Sequence, residues 1–401
     1  MADPLSPLER IRALEALGER RLAGTATEKA AQASLGADLE AAGFRLEWRP
    51  FRFSQSLYAS LMLHFGLATL GTGVGLWRPW LGAALHALVA LSYGLESMRR
   101  GLLLRSLLPN ITSQNLLAVK PAKAALRRRL VLVSHADAAF TGLVFSPALI
   151  KLAAGQPPPG LGWFRKQLGL ATATVAALAV LELIAALGLW IVPTWLLGAL
   201  SIPAALVFLL NLDVVLRNRV VPGAADNLSG CAACVELATR LEGRLPDDVE
   251  LVIVISGSEE AGTGGALRLA EAMDRSREWS PAETIVLGLD GLTNGALHFL
   301  EEGELWRLPV PPALEAAVRD TSAEHPEQPA VSRFVIPAGA TDALPFLVRG
   351  FPAVTLTCID PGVGSARHYH HPTDTSSNID VTQLAASIDF AERLIVRLAK
   401  S

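Results

Sequence analysis

The chain has 401 residues, of which 51% are hydrophobic and only 18% are charged, and its formal net charge is −3. Its mean hydropathy of +0.37 is too high for a purely soluble protein, and the slightly negative charge argues against nucleic acid as a partner. Three cysteines are too few for a disulfide scaffold. We therefore expect a chain that is partly embedded in a membrane.

The segments outside the most apolar stretches predict a domain in which strands alternate with helices. Residues 7–43 have helical periodicity that ends at Gly43, and a strand is predicted at 45–53. Further strands are predicted at 115–119, 130–134, 249–255, 284–289, 333–336 and 353–358, and further helices at 230–241, 264–275, 311–319 and 381–398. This alternation predicts a three-layer α/β/α fold with a mostly parallel mixed sheet.

Four apolar stretches have the length of roughly 17 to 25 residues that crosses a bilayer core. The first two, 57–77 and 79–95, are joined by a very short turn at Arg78. The second two, 168–192 and 194–212, are joined at Pro193. A turn this short leaves no room for a folded domain on the far side of the membrane. Each pair therefore predicts a transmembrane hairpin.

The two hairpins, residues 57–95 and 168–212, interrupt one discontinuous domain made of residues 1–55, 106–167 and 214–401. Basic residues flank the hairpins mainly on the domain side, at Arg99, Arg100, Arg105, Arg165, Lys166, Arg217 and Arg219. The positive-inside rule then places the domain and both termini in the cytoplasm. The first ten residues lack the charged and then apolar pattern of a signal segment, which agrees with this orientation.

Candidate metal ligands lie at the end of one predicted strand and directly before one predicted helix. His135-Ala136-Asp137 ends the strand at 130–134, and in such a pair the imidazole can bind a metal while the carboxylate orients it. Asp226 lies in a glycine-bounded turn directly before a helix. A carboxylate there can bridge two cations, although it can equally be a helix cap.

Two adjacent carboxylates, Glu259 and Glu260, follow the buried strand at 249–255. Side chains of an extended segment alternate in direction. One glutamate can therefore face a metal while the other faces a reacting water, which is the arrangement that a metal-assisted hydrolase needs.

Two further candidates stand near the C-terminal strands. Asp290 follows the strand at 284–289, and His370 lies in a cluster with His368 and His371. Because the carboxyl ends of parallel strands form the usual site of an open α/β sheet, we expect these side chains to meet there.

Taken in order, these motifs resemble peptidase family M28, the co-catalytic dizinc exopeptidases that include bacterial leucyl aminopeptidases and, with altered chemistry, glutaminyl cyclases. The family pattern is His-x-Asp, Gly-Ala-x-Asp-Asn-x-Ser-Gly, Glu-Glu, an Asp after a strand, and His-x-Pro-x-Asp-Thr. All five parts are matched here, and the last favours His370 over its neighbours. The resemblance covers the chain from residue 7 to the end but leaves the hairpins unexplained.

The resemblance implies two Zn²⁺ ions and a role for each candidate residue. His135 and Asp290 would bind one zinc, Glu260 and His370 the other, Asp226 would bridge them, Glu259 would be the general base, and Asp137 would hold the His135 imidazole. The chain departs from the family at Ala343, where the family has His, which puts contacts near Asp342 in doubt.

The implied function is a membrane-anchored zinc aminopeptidase that cleaves N-terminal residues with a metal-bridging hydroxide. Alternatives are a glutaminyl-cyclase-like acyltransferase, an N-acyl amino acid amidohydrolase and an inactive membrane scaffold. The second hairpin begins after Asp137 and ends before Asp226 in the sequence. We therefore expect the mouth of the active site to face the membrane and to favour hydrophobic or membrane-derived peptides.

Several features stay open at this point. Glu182 lies in the middle of a predicted span, where a carboxylate is either functional or a paired structural group. Cys231 and Cys234 have C-x-x-C spacing, and packing, redox and metal roles all fit it. The substrate, the metal loaded and the oligomeric state do not follow from the sequence.

Overall fold

The structure, a computed structural model, describes residues 5–154, 167–337 and 339–401. The predicted flanking residues Arg165 and Lys166 lie outside the described residues. The helices are α1 Pro7–Glu15, α2 Ala26–Ala41, α3 Leu57–Gly75, α4 Pro79–Ser97, α5 Pro147–Ala154, α6 Gln167–Ala186, α7 Thr194–Arg217, α8 Ser229–Arg240, α9 Gly264–Ser276, α10 Pro312–Ala323, α11 Leu344–Leu347 and α12 Val381–Lys400. The strands are β1 Arg45–Ser54, β2 Asn110–Lys120, β3 Arg128–His135, β4 Phe140–Thr141, β5 Arg219–Val220, β6 Val249–Ser256, β7 Thr284–Leu289, β8 Ala296–Glu301, β9 Ser332–Val335 and β10 Ala353–Ile359.

Eight strands form one mixed sheet in the order β1-β2-β6-β3-β7-β10-β8-β9. The four central strands, β6, β3, β7 and β10, run parallel to their neighbours within this group. β1 and β2 are antiparallel to each other, β2 is antiparallel to β6, and β8 is antiparallel to β10. The carboxyl ends of β3, β6 and β7 therefore meet at one edge of the sheet.

Helices cover both faces of this sheet. Leu130 and Leu132 of β3 pack into a core with residues of α2, α8 and α12, while the alternate residues Val131 and Val133 pack with residues of α9 on the other face. Because successive side chains of β3 point to opposite faces of the sheet, the strand contributes to two hydrophobic cores. The predicted three-layer α/β/α fold class is confirmed.

Two local predictions differ from the structure. The helical pattern at 7–43 is two helices, because the chain turns between α1 and α2 at Gly18 and Gly24, both of which have positive φ. A Cβ at Gly24 would lie 2.6 Å from the Ile111 side chain, so this turn is closely packed. Strand β8 was not among the predicted strands, because its alternation extends only over Leu297, His298 and Phe299 and ends in the buried Glu301.

The four helices α3, α4, α6 and α7 pack together into what we call the helical bundle. Three of them, α3, α6 and α7, are long and apolar enough to cross a membrane, whereas α4 does not meet this criterion and the count of four spans stays a prediction. The turns α3–α4 and α6–α7 carry four exposed tryptophans, Trp77, Trp80, Trp190 and Trp195. Tryptophan is enriched where membrane proteins meet the bilayer interface.

Glu182 is fully buried inside the bundle, near the turn between α3 and α4. His86 Nδ1 lies 2.8 Å from Glu182 Oε2, and its Nε2 lies 2.9 Å from the carbonyl oxygen of Ala68. This pairing joins α6 to α4 and α3, which favours the structural role over the functional one. Gly75 and Gly82 provide the space, since a Cβ at either would lie 2.1 or 2.5 Å from the Glu182 carboxylate.

Two buried ion pairs join the first hairpin to the α/β domain. Arg105 donates to Glu96 of α4 at 2.9 Å, and Arg99 donates to Glu304 of the domain at 2.7 Å. Tyr93 of α4 also donates to Glu304 at 2.9 Å. Removing one partner of a buried pair leaves an uncompensated charge, so these contacts fix the bundle on the domain.

We expect Gly82→Ala to lower the free energy of unfolding by about 1–3 kcal/mol, the usual cost of overpacking a core. The added Cβ would meet the Glu182 carboxylate and, at 2.6 Å, the main chain of Gly75. Gly94→Ala in the same helix is the matched control, since a Cβ there meets nothing within 4 Å. Thermal unfolding of both variants in detergent measures the difference, and equal stability of the two would contradict the packing argument.

Candidate metal centre

The six residues proposed to bind metal or to move protons converge at the carboxyl edge of the sheet. His135 is the last residue of β3, Glu259 and Glu260 follow β6, and Asp290 follows β7 directly. Two loops complete the group. Asp226 lies in the turn before α8, and His370 lies in the loop between β10 and α12.

Asp226 lies between the two histidines. Its Oδ1 is 3.2 Å from His135 Nε2, and its Oδ2 is 3.4 Å from His370 Nε2. His370 Nε2 is also 3.2 Å from Glu260 Oε2. Zinc bonds of about 2.0–2.2 Å in a tetrahedral site place neighbouring ligand atoms about 3.3 Å apart, so all three distances fit the edges of such sites.

The remaining acidic groups border the same space. Glu259 Oε2 and Asp290 Oδ1 lie 3.8 and 3.9 Å from His135 Nε2. Glu260 Oε1 is buried and has no hydrogen-bond partner among the described residues. Ligand atoms of His135, Asp226 and Glu260 all lie within 4.8 Å of one another. Imidazole and carboxylate are ligands that zinc prefers, so this donor set fits the metal.

The pKa shifts of the site residues reflect the number of carboxyl groups that lie close together. Burial raises the pKa of Glu259 and of Asp290 well above the usual carboxyl range, and nearby carboxylates raise both further. Burial alone would lower the pKa of His370, but Glu260 and Asp226 raise it to about 10. The pKa of Asp226 is lowered despite burial, because both histidines contact it. These shifts describe an acidic site that favours bound cations.

Asp137 lies behind the two glutamates. Its Oδ1 accepts a hydrogen bond from the Glu259 amide and its Oδ2 one from the Glu260 amide, both at 3.0 Å. The His135 ring is held differently from the prediction, since its Nδ1 lies 3.1 Å from the main-chain carbonyl of Asp137 and 3.7 Å from the carboxylate. Asp137 thus orients the imidazole with its backbone and the Glu-Glu turn with its side chain.

Asp374 holds the Asp226 turn in the same way. Its two carboxylate oxygens accept hydrogen bonds from the amides of Ala225 at 2.7 Å and Asp226 at 3.1 Å. Burial raises the pKa of this carboxyl to about 7. Buried Arg21 donates to the Ala136 carbonyl at 2.7 Å and to the Pro222 carbonyl at 2.8 Å, so it joins the His135 segment to the Asp226 turn.

Tyr58, in the first turn of α3, is a site residue that the sequence does not reveal. Its hydroxyl lies 3.0 Å from His370 Nδ1, the ring nitrogen that faces away from Asp226. Its ring makes edge contacts with Phe140 and Phe145. The only sequence signal is one hydroxyl at the start of an aliphatic helix. The helical bundle therefore contributes directly to the metal centre.

The competing histidines point elsewhere. Nδ1 of His368 lies 2.6 Å from the Thr373 hydroxyl, and Nδ1 of His371 lies 2.8 Å from the same hydroxyl. Ala343, at the family histidine position, is fully buried in the core shared with α9. Next to it, Asp342 accepts a hydrogen bond from Ser256, and burial raises its pKa to about 6.

Cys231 and Cys234 are buried among the small residues of α8. Cys231 donates to the carbonyl oxygen of His135 at 3.0 Å, and burial raises its pKa to about 11. A buried thiol with a raised pKa is chemically inert. Packing behind the metal centre is therefore the role that the structure supports for the pair.

Comparison with known proteins agrees with this geometry. Residues 207–395 match the model of peptidase family M28, whereas no protein with a curated description matches the chain significantly in sequence. The match contains Asp226, Glu259, Glu260, Asp290 and His370. It leaves α3, α4 and α6 outside.

Solved structures of the same fold cover nearly the whole chain. A glutaminyl cyclase from Fimbriiglobus ruber has a TM-score of 0.57 at 16% identity, covering 99% of this chain and 97% of its own. A zinc aminopeptidase from Bacillus subtilis has a TM-score of 0.55 at 14% identity, with coverages of 98% and 95%. An aminopeptidase from Aneurinibacillus sp. strain AM-1 has a TM-score of 0.57 at 14% identity, with coverages of 97% and 92%. At these identities the likeness establishes the fold.

The matched segment, the shared fold and the histidine–carboxylate cluster agree with one another. Together they show that residues 207–395 match peptidase family M28 and that the chain has the fold of the solved zinc aminopeptidases and glutaminyl cyclases.

Proposed function

We propose that this chain is a membrane-anchored dizinc aminopeptidase. The observation that carries the proposal is the position of Asp226, whose two carboxylate oxygens each face one histidine. In the proposed arrangement His135 and Asp290 would hold one zinc, Glu260 and His370 would hold the second, and Asp226 would contribute to both sites. Four carboxylates at the site, Asp226, Glu259, Glu260 and Asp290, match the charge of two divalent cations.

The chemistry needs one proton carrier beside the ligands. When bound at this site, zinc supplies a water of lowered pKa and positive charge for a scissile carbonyl. Glu259 takes the proton of the attacking water and then gives it to the departing amine. Its raised pKa suits a group that must both accept and donate a proton. Asp137 fixes the backbone of Glu259 and Glu260 by accepting hydrogen bonds from both amides.

The helical bundle is proposed to span the bilayer with the α/β domain on the cytoplasmic side. Described basic residues flank the domain ends of the helices at Arg99, Arg100, Arg105, Arg217 and Arg219, whereas Arg78 lies at a turn between helices. This bias supports a cytoplasmic domain by the positive-inside rule.

The alternatives use the same fold. A glutaminyl-cyclase-like acyltransferase is a real rival, because one of the structural neighbours is a glutaminyl cyclase. The complete set of two histidines and four carboxylates, Asp226 among them, favours the two-metal aminopeptidase over it. An N-acyl amino acid amidohydrolase and an inactive scaffold remain to be separated by assay.

We expect Glu259→Gln to retain both zinc ions and to lower kcat for peptide hydrolysis about 10²- to 10⁴-fold, the usual contribution of a general base. The change removes the proton acceptor but keeps the shape of the side chain. Zinc content by elemental analysis and release of the N-terminal residue from a peptide panel measure the two effects. The exposed Glu40 supplies the control Glu40→Gln, for which neither quantity should change.

The same assay decides between the rival functions. Ammonia released from N-terminal glutamine without cleavage of a peptide bond would indicate the cyclase. Cleavage of N-acyl amino acids in place of free-amine peptides would indicate the amidohydrolase. A zinc-loaded wild type that converts none of these substrates would leave only the scaffold.

We expect Tyr58→Phe to weaken zinc binding at the His370 position roughly 10- to 100-fold, the usual effect of removing the group that orients a metal-binding histidine. The packing against Phe140 and Phe145 is retained, so thermal stability of the metal-free protein should not change. Competitive zinc titration of purified protein measures the affinity. Tyr93→Phe, which removes a hydroxyl bonded to Glu304, is the control, and an equal loss of affinity in both variants would refute the orienting role of Tyr58.

The proposed orientation predicts the labelling of introduced cysteines. Because the native cysteines Cys231, Cys234 and Cys358 are buried, background labelling should be low. A membrane-impermeant thiol reagent should label Arg78→Cys in intact cells, and it should label Glu40→Cys only after the membrane is permeabilised. The reverse pattern would place the α/β domain outside the cytoplasm.

A further inference from the structure

One cavity of about 290 Å³ joins the metal centre to the helical bundle. Its polar end contains Asp226, Glu259, Glu260, Asp290 and His370. Its other walls are largely apolar. One part comes from α3, α5, α6 and α7, with Leu61, Ile150, Leu168, Val207 and Leu210 among its residues, and the other part comes from the α/β domain, with Phe334 and Ile359 among its residues. Ligand sites combine an apolar cavity with a few convergent polar groups in this way.

The cavity lies at the end of the bundle that faces the domain. Leu61 is in the second turn of α3, and Leu168 is in the first turn of α6. The exposed tryptophans lie at the opposite end, where α3 turns into α4 and α6 turns into α7. The 19 residues of α3 span about 28 Å at 1.5 Å per residue, close to the roughly 30 Å of a hydrocarbon core. If the tryptophans lie at the bilayer interface far from the domain, the cavity lies at the interface next to the domain.

The charges on the apolar walls are already paired. Arg99 donates to Glu304 at 2.7 Å, and Arg367 donates to Asp360 at 2.7 Å. These are the two cations that line the cavity among the described residues. Arg99 is buried within its ion pair and Arg367 is exposed, so among the described residues the cavity offers the carboxylate of a dipeptide no unpaired buried cation. The walls therefore suit an uncharged, apolar extension of the substrate.

Part of the apolar wall precedes the segment that matches peptidase family M28, whereas Val207 and Leu210 lie at the start of that segment. Leu61, Ile150 and Leu168 all precede residue 207, where the match to peptidase family M28 begins. The surrounding surface of α7 is apolar as well, since Leu206 and Leu209 are exposed beside the lining residues Val207 and Leu210.

We propose that the bundle forms a substrate subsite for peptides whose N-terminal segment is apolar and embedded in the bilayer. The free amine of such a peptide lies at the metal centre, and the side chains of its first residues pack against Leu61, Leu168, Val207 and Leu210. This assignment rests on the proposed aminopeptidase function. It makes the inserted helices part of substrate selection as well as a membrane anchor.

The test compares two neighbouring leucines of α7 in enzyme reconstituted into phosphatidylcholine vesicles. Leu210→Trp fills the cavity, whereas Leu209→Trp adds the same ring on the exposed side, where Leu209 is 56% accessible. The substrates are a vesicle-inserted peptide with an N-terminal Leu-Leu-Val segment and the soluble substrate alanine p-nitroanilide. The measured quantity is the ratio of kcat/KM for the first to kcat/KM for the second.

We expect Leu210→Trp to lower this ratio at least tenfold, within the 10- to 200-fold range by which a reshaped apolar pocket discriminates, and Leu209→Trp to leave it unchanged. Leu210→Ala, which enlarges the cavity without risk of overfilling it, should shift the preference towards larger N-terminal side chains. An unchanged ratio in Leu210→Trp and an unchanged preference in Leu210→Ala would overturn the subsite. Failure of the wild type to cleave either substrate would instead overturn the proposed function.

Discussion

The structure depends on the burial of many acidic groups at one edge of a sheet. Asp226, Glu259, Glu260 and Asp290 share a space with two histidines, and Asp137 and Asp374 lie directly behind them. Charges in a low-dielectric interior are tolerated when they are paired, hydrogen-bonded or bound to metal. Asp137 and Asp374 meet this requirement by each accepting two successive backbone amides. The other four contact or border the histidines, and such a buried histidine–carboxylate group suits a bound metal cation.

The same constraint explains the placement of the helical bundle. The second hairpin leaves the domain after β4 and returns to it at β5, and these two short strands pair with each other. The first hairpin begins at α3, whose Tyr58 contacts His370. Phe140 and Phe145 pack on Tyr58 and so connect the two insertions at the metal centre. Both hairpins therefore join the domain on the side that carries the histidine–carboxylate cluster.

Much of the fold and of the proposed site followed from local sequence patterns. Buried strands give apolar runs, and polar residues at their ends lie at one edge of a parallel sheet, which is why His135, Glu259, Glu260 and Asp290 were found together. Contacts between distant segments were not accessible in this way. Tyr58 and His370 are 312 positions apart in the chain, and the aliphatic pattern around Tyr58 indicates only a membrane helix. The carboxylate of Asp137 likewise serves the Glu-Glu turn, which its spacing from His135 does not reveal.

The mean hydropathy of α4 is low because several of its residues are polar, although these residues face the other helices of the bundle. Its polar residues are turned inward, with His86 against Glu182 of α6 and Ser92 against His64 of α3 at 2.8 Å. Its exposed residues include Leu88 and Leu91. A mean over all positions treats both faces alike, whereas lipid contacts only the outer one. The outer face of α4 is thus apolar, and its inner face supplies the polar contacts that join it to α3 and α6.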